Sequence, residues 1–166
     1  MNEPNRMQGL MIANGGLVLL VGLLSGLPFA FNLLGAIELW PIPFKIDYQI
    51  TGSERAWRAA HIGNIMNASM LLAVAGIVPR LKLPASTIKA LGWCLIVTVW
   101  GNAIFYVGAC FTDGRGLTMG PNKFGGGDWA NSIAFFAALV AVYAVLYAIV
   151  QVVRGGFAAA RDASGG

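Results

Sequence analysis

The chain has 166 residues, of which 57% are hydrophobic and only 11% charged, and its formal net charge is +4. Soluble domains carry roughly 25% charged residues, so a surface this poor in charge is one that lipid solvates. The positive balance is thinly spread and forms no long basic cluster, which excludes a nucleic-acid footprint and fits membrane orientation instead.

Four apolar stretches reach the roughly 20 residues that a helix needs to cross a bilayer. They lie at about 7–34, 55–78, 87–111 and 129–153. The expected fold class is all-α: an integral membrane bundle of four transmembrane helices in a single domain over 1–166. The first stretch follows one basic residue, Arg6, runs past the length of a signal-peptide core and meets no clear A-x-A site, so it reads as a mature helix. Its glycines at positions 9, 15, 16, 22 and 26 suit close helix packing in lipid. Segment 35–53 then breaks the apolar pattern with Pro41, Pro43 and Gly52. Trp40, Phe44 and Tyr48 suit the water–lipid interface, which predicts an ordered cap on the non-cytoplasmic face.

Ser53 is placed to cap the second helix. About two turns in comes His61, the only histidine of the chain, followed by Asn64 and Asn67. Polar and ionisable groups at this depth are costly and face a bundle interior or a functional cavity. Pro79 ends the helix, and a short basic link leads to the third. That helix carries Thr98, Asn102 and Tyr106 at intervals of four, flanked by Trp100 and Phe105. Because neighbouring helices run antiparallel, Tyr106 and His61 lie at similar depth, which predicts one cavity between the second and third helices. Cys94 and Cys110, 16 residues apart on the third helix, are separated by about 24 Å and form no disulfide.

The loop 112–128 holds seven glycines or prolines in 17 residues and has the length of a functional loop. Asp128 is placed to cap the fourth helix. The tail, about 155–166, reads as flexible. With four spans, Arg6, Arg80, Lys82, Lys89, Arg154 and Arg161 share one side, which favours cytoplasmic termini.

For chemistry, His61 is the leading candidate ligand: neutral imidazole is the commonest metal ligand and a standard axial ligand of haem. A lone histidine leaves a haem with an open position, suited to Lewis-acid work. The alternative is a structural histidine bonded between helices. Tyr106 is either a hydrogen-bond donor or an interfacial aromatic, and Asn67 and Asn102 either meet a ligand or knit helices together.

Three stretches in order carry a resemblance to the styrene oxide isomerase family. They are Trp57, His61 and Asn67; then Trp100-x-Asn102-x-x-Phe105-Tyr106; then the glycine-rich run from Arg115 to Asp128. The resemblance spans all four helices. It implies a membrane-bound bacterial isomerase, at the inner membrane, turning an aryl epoxide (styrene oxide) into an aldehyde (phenylacetaldehyde) by Meinwald rearrangement. It also implies ferric haem b with His61 as axial ligand, Asn67 and Tyr106 orienting the epoxide, and a homotrimer with haem near subunit contacts. Asn102, Thr98 and Trp100 would stand behind these groups, and Asn64 is a packing or supporting residue to which the resemblance assigns nothing. Thr98 is a departure, since family members can carry aspartate there. Two competing readings remain: a haem-binding electron-transfer or quinone-linked membrane subunit, and a packing or transport subunit without haem.

Overall fold

The computed structural model describes residues 3–39 and 41–164; the interfacial role expected of Trp40 lies outside them. Four helices dominate: α1 Glu3–Leu34, α2 Glu54–Ile77, α3 Ala85–Gly108 and α4 Trp129–Ser164. All four belong to spans long enough and apolar enough to cross a membrane, as in an integral membrane protein.

Two element boundaries differ from expectation. The segment after α1 is an ordered cap, but it contains a short antiparallel ribbon, β1 Ala36–Glu38 against β2 Lys45–Asp47, so the chain is not purely helical. Asn32, at the end of α1, holds the segment by donating to the carbonyls of Ile50 and Gly52 at 3.0 and 2.9 Å. On the ribbon Lys45 pairs with Asp47 at 3.1 Å, and that hydrogen bond and charge push the Lys45 pKa up. The second difference is at the other end. α4 was expected to stop near 153 and instead runs to Ser164. Its continuation Ala158–Ala160 is made of the best helix former, and the α2–α3 link packs on it: the Lys82 N–H donates to the Gly155 carbonyl at 3.4 Å.

Caps act where the sequence places them. The Ser53 hydroxyl accepts from the Ala56 N–H at 3.2 Å, and the Asp128 carboxylate accepts from the Asn131 N–H at 2.6 Å. Packing is chiefly α1 on α2 and α3 on α4, with α2 and α3 joining the pairs. The core is built from Met7, Met11 and Val18 of α1, Ala68 and Leu71 of α2, and Leu91, Leu95 and Val99 of α3. Against α3, α4 presents Ala134, Ala141 and Ala148, all buried and seven residues apart. Gly101 and Gly108 of α3 meet this stripe. Small residues on both sides let the backbones come close, which is how helices associate where lipid removes the hydrophobic driving force. Most large apolar side chains of α1 and α4 point outward.

Candidate active site

His61 sits on the second turn of α2 and leans on α1. Its Nδ1 lies 2.8 Å from the Gly22 carbonyl oxygen, and its ring stacks on Phe29 at 6.3 Å. A carbonyl only accepts, so Nδ1 carries the proton, and in the neutral ring Nε2 then carries the lone pair. Space for the ring comes from Gly26: a methyl group there would sit 3.0 Å from both Cε1 and Nδ1. Two of the five glycines of α1 thus hold and admit the imidazole.

Asn67 and Tyr106 occupy the other flank of α2. At 3.6 residues per turn, six residues carry Asn67 about 120° around the helix from His61. There the Asn67 Oδ1 accepts from Asn102 Nδ2 at 2.8 Å, while Asn67 Nδ2 donates to the Gly63 carbonyl at 2.8 Å. The Tyr106 ring packs against Gly63, where an added methyl group would fall 2.6 Å from Cε2 and Cζ. Next to it Phe105 stands at 5.2 Å. Tyr106 lines a pocket of about 210 Å3 at the outer end of α2 and α3, bounded also by Ala56, Ala59, Phe105, Arg115 and Leu117. Its hydroxyl has no hydrogen-bond partner among the described residues.

The structure therefore brings Asn67, Asn102 and Tyr106 together but sets His61 apart. The single cavity expected between α2 and α3 is there only in part: it holds Tyr106, and His61 faces α1 instead. Matching depth along two helices does not fix direction around them. Asn64, between the flanks, is fully buried, and neither its amide nitrogen nor its oxygen has a partner among the described residues. Thr98 points at α4, its hydroxyl donating to the Cys94 carbonyl at 2.8 Å and lying 3.4 Å from that of Ala141. Trp100 donates to Asn14 Oδ1 at 2.9 Å and so ties α3 to α1.

The glycine-rich loop forms the outer wall of the Tyr106 pocket. Arg115 takes the left-handed conformation, φ 60°, unusual for a residue with a side chain. Its guanidinium lies over Phe124 at 3.7 Å. Asn131, on the first turn of α4, is fully buried and organises this loop: its Oδ1 accepts from the Gly116 N–H at 2.7 Å, and its Nδ2 donates to the Thr118 carbonyl. Sequence reasoning passed over Asn131 and had Phe124 only as part of the loop motif, with no role. A lone amide three residues after a capping aspartate, at the head of an apolar helix, was the available signal. Among the described residues no three His, Cys, Asp or Glu side chains cluster for a metal ion.

A family model described as styrene oxide isomerase matches residues 7–157. The chain is also similar to the styrene-oxide isomerase of Pseudomonas fluorescens, 35% identical over 133 residues, which cover 80% of this chain and 76% of that protein.

Proposed function

The chain belongs to the styrene oxide isomerase family and is an isomerase, and from this we propose that it converts aryl epoxides, styrene oxide among them, to aldehydes with the help of haem b. The benzylic C–O bond opens, a hydride moves from the terminal carbon to the benzylic one, and phenylacetaldehyde results with no net redox change. The relative from Pseudomonas fluorescens carries that substrate in its name.

The observation that carries the haem assignment is the bond from His61 Nδ1 to the Gly22 carbonyl at 2.8 Å. It fixes the tautomer and the ring plane, and a histidine held this way is a prepared metal ligand. No hydrogen bond reaches Nε2 among the described residues. The donor set thus fits a haem, which His61 would hold through Nε2. When bound, ferric haem supplies a Lewis acid for the epoxide oxygen.

The remaining work falls to the chain's own side chains. Tyr106, whose hydroxyl has no partner among the described residues and whose ring packs against Gly63, donates to the oxygen as negative charge develops on it. Asn67, held between Gly63 and Asn102, orients the substrate so that migration is favoured. Apolar neighbours such as Ala56, Ala59 and Phe105 keep out the water that would trap the benzylic cation as a diol.

We place the enzyme in a bacterial inner membrane with cytoplasmic termini, on the charge bias of its loops, and as a homotrimer with haem near subunit contacts. Two features support a shared site. His61 is only half buried, and it lies on the flank of α2 away from the chain's own Asn67 and Tyr106. Absorbance spectra of purified wild type and His61→Ala, each assayed on styrene oxide, test the proposal. The wild type should show a Soret band and aldehyde formation, and His61→Ala should lose both. A colourless active wild type, or a variant that keeps haem and rate, overturns the ligand assignment.

A further inference from the structure

The end of the bundle away from the Tyr106 pocket carries a groove of about 580 Å3 that the isomerisation does not use. We propose that it binds an anionic glycerophospholipid, with the phosphodiester held by Lys82, Arg154 and Arg161 and an acyl chain lying on Leu83, Pro84 and Phe157.

The groove exists because α4 outruns the membrane. Arg154 lies 25 residues beyond Trp129 at the head of α4, about 38 Å along the helix against a hydrocarbon core of about 30 Å. It therefore emerges at headgroup level. The α2–α3 link is strapped across this emerging turn. The Lys82 N–H donates to the Gly155 carbonyl at 3.4 Å, and the strap fits because position 155 has no side chain: a methyl group there would stand 2.9 Å from Leu83 Cγ and 3.1 Å from Leu81 Cβ.

Charge selects an anion. Three cations and no acid line the groove among the described residues. Asp162, nearby, meets Lys82 Nζ at 3.7 Å, and Arg154 Nη1 is held at 3.1 Å by the neutral amide of Gln151. Guanidinium groups match a phosphodiester in planar, two-point fashion. Basic pockets between helices at the membrane face are recurrent headgroup sites. In addition, α3 starts at the groove's edge with Pro84 in the capping position and no side-chain cap, so its positive end also favours an anion. The apolar half distinguishes lipid from free phosphate. Phe157 is 65% exposed beside the cations, a surface that an acyl chain covers and an inorganic ion does not.

The test uses the full chain, purified and delipidated in detergent. Thermal unfolding is followed with added phosphatidylglycerol, phosphatidylcholine or inorganic phosphate, and native mass spectrometry counts bound lipid. Wild type should gain several degrees more from phosphatidylglycerol than from phosphatidylcholine and nothing from phosphate. The double variant Arg154→Gln/Arg161→Gln should lose that difference and the bound phosphatidylglycerol, while Arg154→Lys/Arg161→Lys keeps much of both. Equal shifts from the two lipids, or a phosphatidylglycerol shift and count unchanged in the glutamine variant, overturn the proposal. A shift of the same size from inorganic phosphate makes this a free-anion site and overturns it as well. If the glutamine variant does not fold, Lys82→Gln with the lipid count decides in its place.

Discussion

Asn67 is asked to do two things, to hold α2 against α3 and to orient a substrate, and a double-mutant cycle with Asn102 separates them. Asn102→Ala removes one interhelical bond, 2.8 Å long, and leaves the Asn67 oxygen short of a donor. Asn67→Ala removes that bond and the one to the Gly63 carbonyl, which is local to α2. Polar pairs between membrane helices contribute about 0.6 kcal/mol on average and up to about 1.7. The double variant should therefore be less destabilised than the sum of the singles by about that amount. For a chain of this size about 1 kcal/mol moves the melting temperature by about 2–4 °C, so thermal unfolding in detergent resolves the coupling. Activity separates the roles. Asn102→Ala, which loosens the partner but spares the amide, should keep most of the styrene oxide turnover. Asn67→Ala should fall about tenfold or further below it, equivalent to about 1.4 kcal/mol of transition-state binding. Additive melting shifts would show that the bond contributes nothing to the fold. Equal losses of turnover in the two singles would show that Asn67 acts only by holding Asn102.

Three further outcomes are expected. Tyr106→Phe keeps the ring on Gly63 and removes a hydroxyl with no partner among the described residues, so the melting temperature should hold while kcat/KM drops about 10–100-fold; an unchanged rate removes Tyr106 from the chemistry. In Gly26→Ala the new methyl group, 3.0 Å from two ring atoms of His61, should displace the imidazole by a few tenths of an ångström. Its readout is a weakened or shifted Soret band with helix content intact, and an unaltered spectrum refutes the packing argument. Thr98→Asp should lower the melting temperature, because Thr98 is buried against α4 and the effective cost of burying a carboxylate is on the order of several kcal/mol. It would set a carboxylate where the hydroxyl now meets the carbonyls of Cys94 and Ala141; a gain in melting temperature would contradict this.

The four spans were legible because apolar runs of bilayer length report on the solvent and leave little freedom in type. Caps at Ser53 and Asp128 were legible too, since a short polar side chain before an apolar run has one local use. What could not be read was direction around the helix axis. Thr98, Asn102 and Tyr106 look like one stripe at intervals of four. In the fold Thr98 serves α4, while Asn102 and Tyr106 meet α2, because α3 is packed on both sides. His61 was picked out as the polar group to be explained, yet its partner, the Gly22 carbonyl, is a backbone atom that no residue type announces. The continuation of α4 was hidden for a related reason. Two adjacent glycines at 155 and 156 read locally as a break, and the strap of the α2–α3 link across Gly155, with the alanines that follow, shows why helix persists there.

The position of Asn131 has a consequence for biogenesis. The wall of the Tyr106 pocket formed by Arg115 and Leu117 belongs to a loop whose backbone is held from α4, chiefly by Asn131, with the Ser132 hydroxyl adding a bond to the Met119 carbonyl at 3.4 Å. A ribosome makes that loop before it makes the helix that organises it. The first three spans can enter the bilayer and pair while the loop still lacks its anchor. The pocket closes only when the last span has been delivered, so catalytic competence should arrive at the end of synthesis, and nascent chains arrested before position 131 should be inserted but inactive.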